Sequence, residues 1–293
     1  MRIVFIGTVE FSKKALEKII SVGGDVVSIF TLKESNFNSD FCDLSNIGKI
    51  NNIPVFYCED INSNDNVNRI KKLKPDIIFC FGWSSLLKKP ILSIAPKGVV
   101  GFHPASLPAN RGRHPLIWAL ILDLKVTAST FFFMDHEADS GDILSQEPIL
   151  IDEHDDARSL YDKVIATALM QIEKFLPKLE NDNYKRTKQD KKLANVWRKR
   201  GKKDGIIDWR MSAMAIKNLI RGLSKPYIGA RFSHKNNEYI VWKAEFVENN
   251  IKNIEPGKVI GLENSDPIIK CGSDCIKLTE VEPTLIINTG EYL

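Results

Sequence analysis

The sequence predicts an α/β protein: a mostly parallel sheet with helices on both faces, followed by a smaller, mainly-β domain. Three observations carry this. Over the first 181 residues short apolar runs alternate with amphipathic stretches, as strands and crossover helices do when the strands run parallel. After Asn181 a basic, turn-rich segment interrupts that rhythm. Beyond Pro226 the chain becomes a series of short strand-like runs separated by turn residues. The expected organisation is therefore residues 1–181 as an N-terminal α/β domain, 182–203 as a basic linker, and 204–293 as a C-terminal domain, an OB-like barrel or sandwich.

Arg2 to Gly7 has the apolar pattern of a buried strand, and Glu10 to Val22 places Phe11, Ala15, Leu16, Ile19 and Ile20 at helical spacing. Gly23-Gly24 closes that helix, and Asp25 to Leu32 forms the second strand. A polar, Asn-rich stretch from Lys33 to Asp43 precedes a short helix. Pro54 to Tyr57 is a third strand, Asp65 to Leu73 a helix stopped by Pro75, and Asp76 to Gly82 a central fourth strand. Gly98 to His103 is the fifth. The stretch from Leu116 to Leu122, apolar on several sides, forms a buried helix. Thr127 to Met134 and Asp142 to Ile151 make a later strand pair, and Asp156 to Leu179 a long helix. Together these give a Rossmann-like alternation with no internal repeat. In the C-terminal part, Ser212 is a suitable N-cap for a helix running to Leu223. Strands follow at Ala230–Ser233, Glu238–Val247, Gly257–Leu262, Pro267–Lys270 and Cys275–Glu282.

Composition excludes several classes. A chain of 293 residues with 43% hydrophobic and 27% charged residues is an ordinary globular protein, long enough for one large domain or two smaller ones. No apolar run approaches the roughly 18 to 20 residues of a membrane span. The opening segment turns polar too soon for a secretory signal, and a cytoplasmic location is expected. Cys271 and Cys275 have CxxxC spacing, but no second pair or nearby histidine completes a zinc site. Reduced thiols and no metal are expected. Net charge is +4, too mild to require nucleic acid. The charge is uneven, however: ten Lys or Arg and only Asp190 lie between Lys185 and Lys203. Either a solvated linker or a patch facing a phosphate-bearing substrate fits that run.

Gly7-Thr8-Val9-Glu10-Phe11 lacks the second and third glycines of a dinucleotide fingerprint, so Gly7 reads as a tight strand-to-helix turn and NAD or FAD is not expected. Two stretches are dense in chemistry. GFHPASLPANRGRHP, Gly101 to Pro115, lies past the carboxyl end of a parallel strand, where open sheets bind ligands. Its prolines stiffen a loop that holds His103. DHEADSGD, Asp135 to Asp142, joins two strands and carries four carboxylates. From spacing alone His103 is as well read as a loop hydrogen-bonder as an acid–base group. The acidic turn is as well read as a solvated turn, or as the carboxylate that orients His103.

The chain resembles the 10-formyltetrahydrofolate-dependent formyltransferases, which include methionyl-tRNA, glycinamide ribonucleotide and nucleotide-sugar N-formyltransferases. The matching pieces are MRIVFIGTVEF at Met1–Phe11, HPASLPANRGRHPLIWA at His103–Ala119, EADSGDILSQ at Glu137–Gln146 and GIIDWRMSAMAIKNLIRGLSKPYIGA at Gly205–Ala230. The resemblance implies a catalytic trio of asparagine, histidine and aspartate. His103 and Asp139 match two of them, while Gly101 stands where the family has asparagine. Asn110, Ser106, backbone N–H groups or water are the expected substitutes for that oxyanion donor. The resemblance further implies a pterin pocket for 10-formyltetrahydrofolate, formed by the loop with Phe81, Gly82, Trp83 and Leu87 and the turn with Asp135, Ala138 and Asp142. Gly101, Ser106, Asn110, Arg111 and Arg113 are the expected acceptor-binding residues.

The acceptor expected from the resemblance is a nucleotide-linked amino sugar, in glycan or lipopolysaccharide biosynthesis. Lys33–Asn46 has one Lys, no Arg and no Gly, unlike the basic, glycine-rich insertion of initiator-tRNA enzymes. Arg113 and Trp197–Ala213 resemble the sugar-acting relatives. The alternatives are a methionyl-tRNA formyltransferase and a catalytically silent folate- or sugar-nucleotide-binding homologue. Apolar surface in the C-terminal domain would suit a homodimer.

Overall fold

The protein is described as a computed structural model covering residues 1–35 and 39–293. Part of the Asn-rich stretch expected from Lys33 to Asp43 therefore lies outside the described residues. The chain divides into two compact units. One comprises Met1–Pro115, Val126–Leu150 and Asp162–Trp197; the other comprises Leu116–Lys125, Ile151–Tyr161 and Arg198–Leu293.

The first unit is built on β1 (Arg2–Ile6), α1 (Glu10–Ser21), β2 (Asp25–Thr31), α2 (Ser45–Ile50), β3 (Val55–Tyr57), α3 (Asn64–Leu73), β4 (Ile77–Cys80), α4 (Lys89–Leu92) and β5 (Val99–His103). A two-residue strand β6 (Arg111–Gly112) and the helix α5 (Pro115–Ile121) precede β7 (Val126–Phe133), β8 (Ile143–Leu150) and the long helix α6 (Ala157–Glu180). Seven strands pair in the order β3-β2-β1-β4-β5-β7-β8. The first five are parallel; β7 and β8 add antiparallel. Strand order reverses at β1/β4, which is where open α/β sheets leave a crevice past their strand ends. α1 and α3 form because their apolar residues recur on one face, and Ser63 caps α3 by accepting from Asn66 N–H.

The sheet core is rich in phenylalanine. Phe5, Phe79, Phe81 and Phe131 are fully buried; Phe79 and Phe81 stack at 5.2 Å, and Phe131 meets Phe81 edge-on at the same distance. Phe102 packs on Phe11 at 4.1 Å and on Phe131 at 4.9 Å. The strand residue before His103 is thus anchored from both sides. At the carboxyl end of β1, a Cβ on Gly7 would stand 2.6 Å from the Phe81 carbonyl and from Ser12 Cβ. Gly7 lies in the short strand-to-helix turn expected of it, between Ile6 and Glu10, and also allows this close approach. The Ser12 hydroxyl uses that proximity, accepting from Thr8 and Val9 N–H at 3.1 Å and donating to Phe81 C=O at 2.6 Å.

Past α6 the chain runs through β9 (Val196–Trp197), which pairs in parallel with β6. In the second unit, α7 (Ala213–Leu223) begins at the predicted cap, where Ser212 Oγ accepts from Ala215 N–H at 3.1 Å. It packs against β10 (Ala230–His234), β11 (Asn237–Val247) and β14 (Cys275–Glu282), which with β12 (Val259–Glu263) and β13 (Asp266–Lys270) make one antiparallel sheet in the order β10-β11-β14-β13-β12. The expected barrel or sandwich is thus a five-stranded sheet whose apolar face meets a helix. Arg221 of α7 is buried and bonded through all three of its guanidinium nitrogens. It donates to Asn218 Oδ1, to the carbonyls of Asp152 and Asp155, and to Asp123 Oδ1 at 2.8 to 3.1 Å. No helix among the described residues is long and apolar enough to cross a membrane.

Candidate active site

His103 is the last residue of β5 and is 5% exposed. Its Nε2 lies 2.8 Å from the carbonyl oxygen of Asn110. A carbonyl only accepts, so Nε2 carries the proton and Nδ1 is the nitrogen left with a lone pair in the neutral ring. Nδ1 faces Asp139 Oδ2 at 3.7 Å. The same oxygen accepts the Gly112 N–H at 2.9 Å. The two dense loops of the sequence therefore meet, with the imidazole held at one nitrogen by its own loop and confronted at the other by the acidic turn.

Asp139 has φ 55°, so the acidic turn folds back on itself. Asp135 organises the turn from inside: its Oδ1 accepts from Ser140 Oγ at 2.5 Å and from Glu137 N–H at 3.0 Å. Gly141 packs so tightly on the end of β7 that any side chain would run into the Phe133 carbonyl. Asp142 contributes its carbonyl to Phe133 N–H at 2.8 Å, and Ala138 is exposed. Of the four carboxylates in this turn, only Asp139 is brought to His103.

The loop after β4 divides between core and cleft. Phe81 is 0% exposed and Leu87 5%, so both side chains pack into the core, and what either could offer a ligand is its backbone. Gly82 has φ 67°, and its carbonyl accepts from Thr8 Oγ1. Trp83 does reach a cavity. With Thr8, Leu32, Ser35, Glu59, Ser84 and Ser85 it lines a cleft of about 230 Å³ at the carboxyl ends of β1 to β4. Its indole N–H donates to Ser85 Oγ at 2.7 Å. Among the described residues the lining holds hydroxyls, one carboxylate and an aromatic face. Arg113 joins this cleft to the His103 loop by donating to the Ser84 carbonyl at 3.1 Å.

The expected acceptor-binding residues fare unevenly. Gly101 is buried in the sheet between β4 and β7. A Cβ there would lie 2.9 Å from Met134 Cγ and 3.1 Å from the Phe132 ring. The space a side chain at position 101 would enter is filled by Met134. Arg111 is 9% exposed, and its guanidinium is engaged by Gln189 Oε1 at 2.6 and 3.2 Å. Ser106 and Asn110 are half-buried.

Two residues that the sequence did not single out complete the arrangement. Gln189 Nε2 donates to the carbonyls of Asp139 and Gly141 at 2.9 and 2.7 Å. Asn195 Oδ1 accepts the Asn110 N–H at 2.6 Å, and its carbonyl accepts the Arg111 N–H. Both lie inside the basic run, whose charge drew attention away from its neutral amides. No group of metal-ligating side chains occurs among the described residues.

With this geometry in view, the chain matches the family model described as Formyl transferase over residues 1–172, and that of the Formyl transferase C-terminal domain over residues 199–286. The chain belongs to the formyl transferase family. It is an enzyme of that family, a one-carbon transferase. A methionyl-tRNA formyltransferase of Caldanaerobacter subterraneus subsp. tengcongensis is 31% identical, over 96% of this chain and 92% of the relative. The bifunctional polymyxin resistance protein ArnA of Wigglesworthia glossinidia brevipalpis is 32% identical over 97% of this chain, which spans only 43% of that protein. Among solved structures, the sugar 3N-formyl transferase WlaRD, determined with dTDP and 5-N-formyl-THF, has a TM-score of 0.71 at 18% identity. That match covers 97% of this chain and 99% of WlaRD. An N-formyltransferase of Helicobacter canadensis, in complex with folinic acid and dTDP-3-aminofucose, has a TM-score of 0.69 at 18% identity and covers 94% and 98% of the two chains. At such identity these two structures share the fold with this chain.

Proposed function

We propose that the protein transfers a formyl group from 10-formyltetrahydrofolate to the primary amine of a nucleotide-linked amino sugar, with His103 and Asp139 as the catalytic pair. The observation that carries this reading is the buried imidazole whose Nε2 is committed to Asn110 C=O while Nδ1 faces Asp139. The neutral amine attacks the formyl carbon, and a tetrahedral oxyanion forms. One proton must then move from the amine nitrogen to N10 of the folate before the C–N10 bond breaks. Nδ1 is placed to accept that proton and return it, and Asp139 stabilises the imidazolium in between. The products are the formamide and tetrahydrofolate, and no metal takes part in this scheme.

The cleft beside Trp83 and Glu59 supports a ring-bearing ligand, and the sparse charge of Lys33–Asn46 favours a small acceptor over RNA. A second reading, formylation of methionyl-tRNA, is favoured by the 31% identity to such an enzyme across nearly the whole chain. The test is a parallel assay with 10-formyltetrahydrofolate and either nucleotide-linked amino sugars or charged initiator tRNA. Formylation of a sugar and not of the tRNA supports the first reading. The reverse selects the second, and no product with either class points to a silent homologue. His103→Ala is expected to cut turnover by at least about 10²-fold; near-parental turnover refutes its role.

A further inference from the structure

We propose that Gln189 and Asn195, two neutral amides within the basic segment before Trp197, are positioning residues that clamp the His103 loop and the Asp139 turn into working register. The inference rests on the catalytic pair proposed above and extends it to side chains that never touch the reacting atoms.

Consider first what each loop lacks. The His103 loop carries Asn110 at φ 66° and Gly112 at φ 102°, backbone conformations that β6, only two residues long, does little to hold. The acidic turn is held internally by Asp135, and from within the turn a single hydrogen bond, Gly112 N–H to Asp139 Oδ2, reaches the His103 loop. The segment 189–197 lies beside both. Asn195 grips the peptide between Asn110 and Arg111 from both sides, accepting the Asn110 N–H with its side chain at 2.6 Å and the Arg111 N–H with its carbonyl at 3.1 Å. The Trp197 carbonyl takes the Arg113 N–H at 3.0 Å. The gripped residue, Asn110, supplies the carbonyl that receives His103 Nε2–H. A displaced Asn110 would release the lock on the imidazole tautomer.

Gln189 acts on the other partner. Its two N–H bonds go to the carbonyls of Asp139 and Gly141, and its oxygen takes two bonds from the Arg111 guanidinium. All four hydrogen-bonding positions of the amide are used. The orientation is forced as well, because carbonyls cannot donate and a guanidinium cannot accept. One side chain therefore ties the turn bearing Asp139 to the loop bearing His103. The Gly112 N–H to Asp139 Oδ2 bond, at 2.9 Å, is the contact this tie keeps in register. Catalytic groups must be held to a fraction of an ångström, and a side chain that fixes a catalytic partner typically matters about 10- to 100-fold.

The variants that test this are Asn195→Ala, Asn195→Asp, Gln189→Ala and Gln189→Glu. Asn195 only accepts with its side chain, so aspartate keeps the contact and alanine loses it. Gln189 must donate to two carbonyls, so glutamate keeps the Arg111 contact and loses the tie. With the acceptor found active in the parallel assay, the expected result is a fall in kcat of about 10- to 100-fold for Asn195→Ala and for both Gln189 variants. KM should stay within about threefold, and Asn195→Asp should remain near the parent.

Two readouts need no substrate, so they decide the clamp even if no acceptor is found. Nitrogen NMR of His103 should report a fixed Nε2–H tautomer in the parent and in Asn195→Asp, and an averaged one in Asn195→Ala. Amide exchange at Gly112 should accelerate in Gln189→Ala and Gln189→Glu. Unchanged tautomer and exchange in the alanine variants, or an Asn195→Asp protein as impaired as Asn195→Ala, would overturn the proposal.

Discussion

Gly101→Asn restores the residue type that the family resemblance implies, and the structure predicts that it harms the protein unless Met134 is changed with it. The new Cβ would lie 2.9 Å from Met134 Cγ, 3.2 Å from Met134 Sδ and 3.1 Å from the Phe132 ring. Overpacking of this kind costs about 1–3 kcal/mol, and a buried amide without partners adds about as much. Met134 is half-buried and flexible, so part of the strain relaxes and the low end of the summed range, about 2–3 kcal/mol, is expected. At roughly 2–4 °C per kcal/mol for a unit of this size, the melting temperature should fall by about 4–12 °C. Combining Gly101→Asn with Met134→Ala empties the contested space, so the two changes should compensate with a coupling of at least about 1 kcal/mol. Thermal unfolding of the parent, both single variants and the double variant measures that cycle. Turnover of the double variant should be no lower than that of the parent. Additive effects, or a Gly101→Asn protein melting within about 1 °C of the parent, would refute the claim that Met134 holds the asparagine's place.

Other perturbations reach other parts of the molecule. Arg221→Ala removes donors from the Asp152 and Asp155 carbonyls and from Asp123, and should cost on the order of 3 kcal/mol in calorimetry, since Asp123 is partly exposed and softens the loss. Burial pushes the thiols of Cys58, Cys80 and Cys271 up to about 12. Brief alkylation of the native protein near neutral pH should therefore modify Cys42 first, and mass spectrometry should find all five modified only after denaturation. The Lys235 ammonium and the Asn288 amide hold the Glu291 carboxyl down at about 2, from an ordinary 4.5. Its stabilising contribution is full above 4.5 and is lost as pH falls toward 2, so Glu291→Gln should flatten the acid limb of a stability-versus-pH curve in that window.

Much of the fold could be read because it follows from local pattern. The alternation of apolar runs with helical-period stretches anticipated β1 to β5, α1 and α3 to within one or two residues, while the short α4 went unread, and Ser212 marked the start of α7. The two-residue strands β6 and β9 left no pattern, because a pairing that short is defined by its partner rather than by its own residues. The same cause separates the legible part of the site from the hidden part. His103 and Asp139 stood out as reactive types in stiff, dense loops. Gln189 and Asn195 have ordinary amide side chains in a run conspicuous for its lysines, and their roles exist only where the segment folds back. That the side chains of Phe81 and Leu87, which the family resemblance implies at the pterin site, are buried could not be read from the sequence.

The residues alone determined the α/β class, the order of elements and the two loops dense in reactive side chains, since each is a matter of period, spacing or residue type, and the family resemblance added the asparagine in whose place Gly101 stands. Only the tertiary structure decided that Met134 fills the vacated space, that Nε2 rather than Nδ1 of His103 is tied down, and that Arg111 is bound to Gln189 instead of standing free. Those facts depend on groups up to 78 residues apart meeting within hydrogen-bond or van der Waals distance, and such ranges of a few ångströms are set by packing and not by any local preference of the chain.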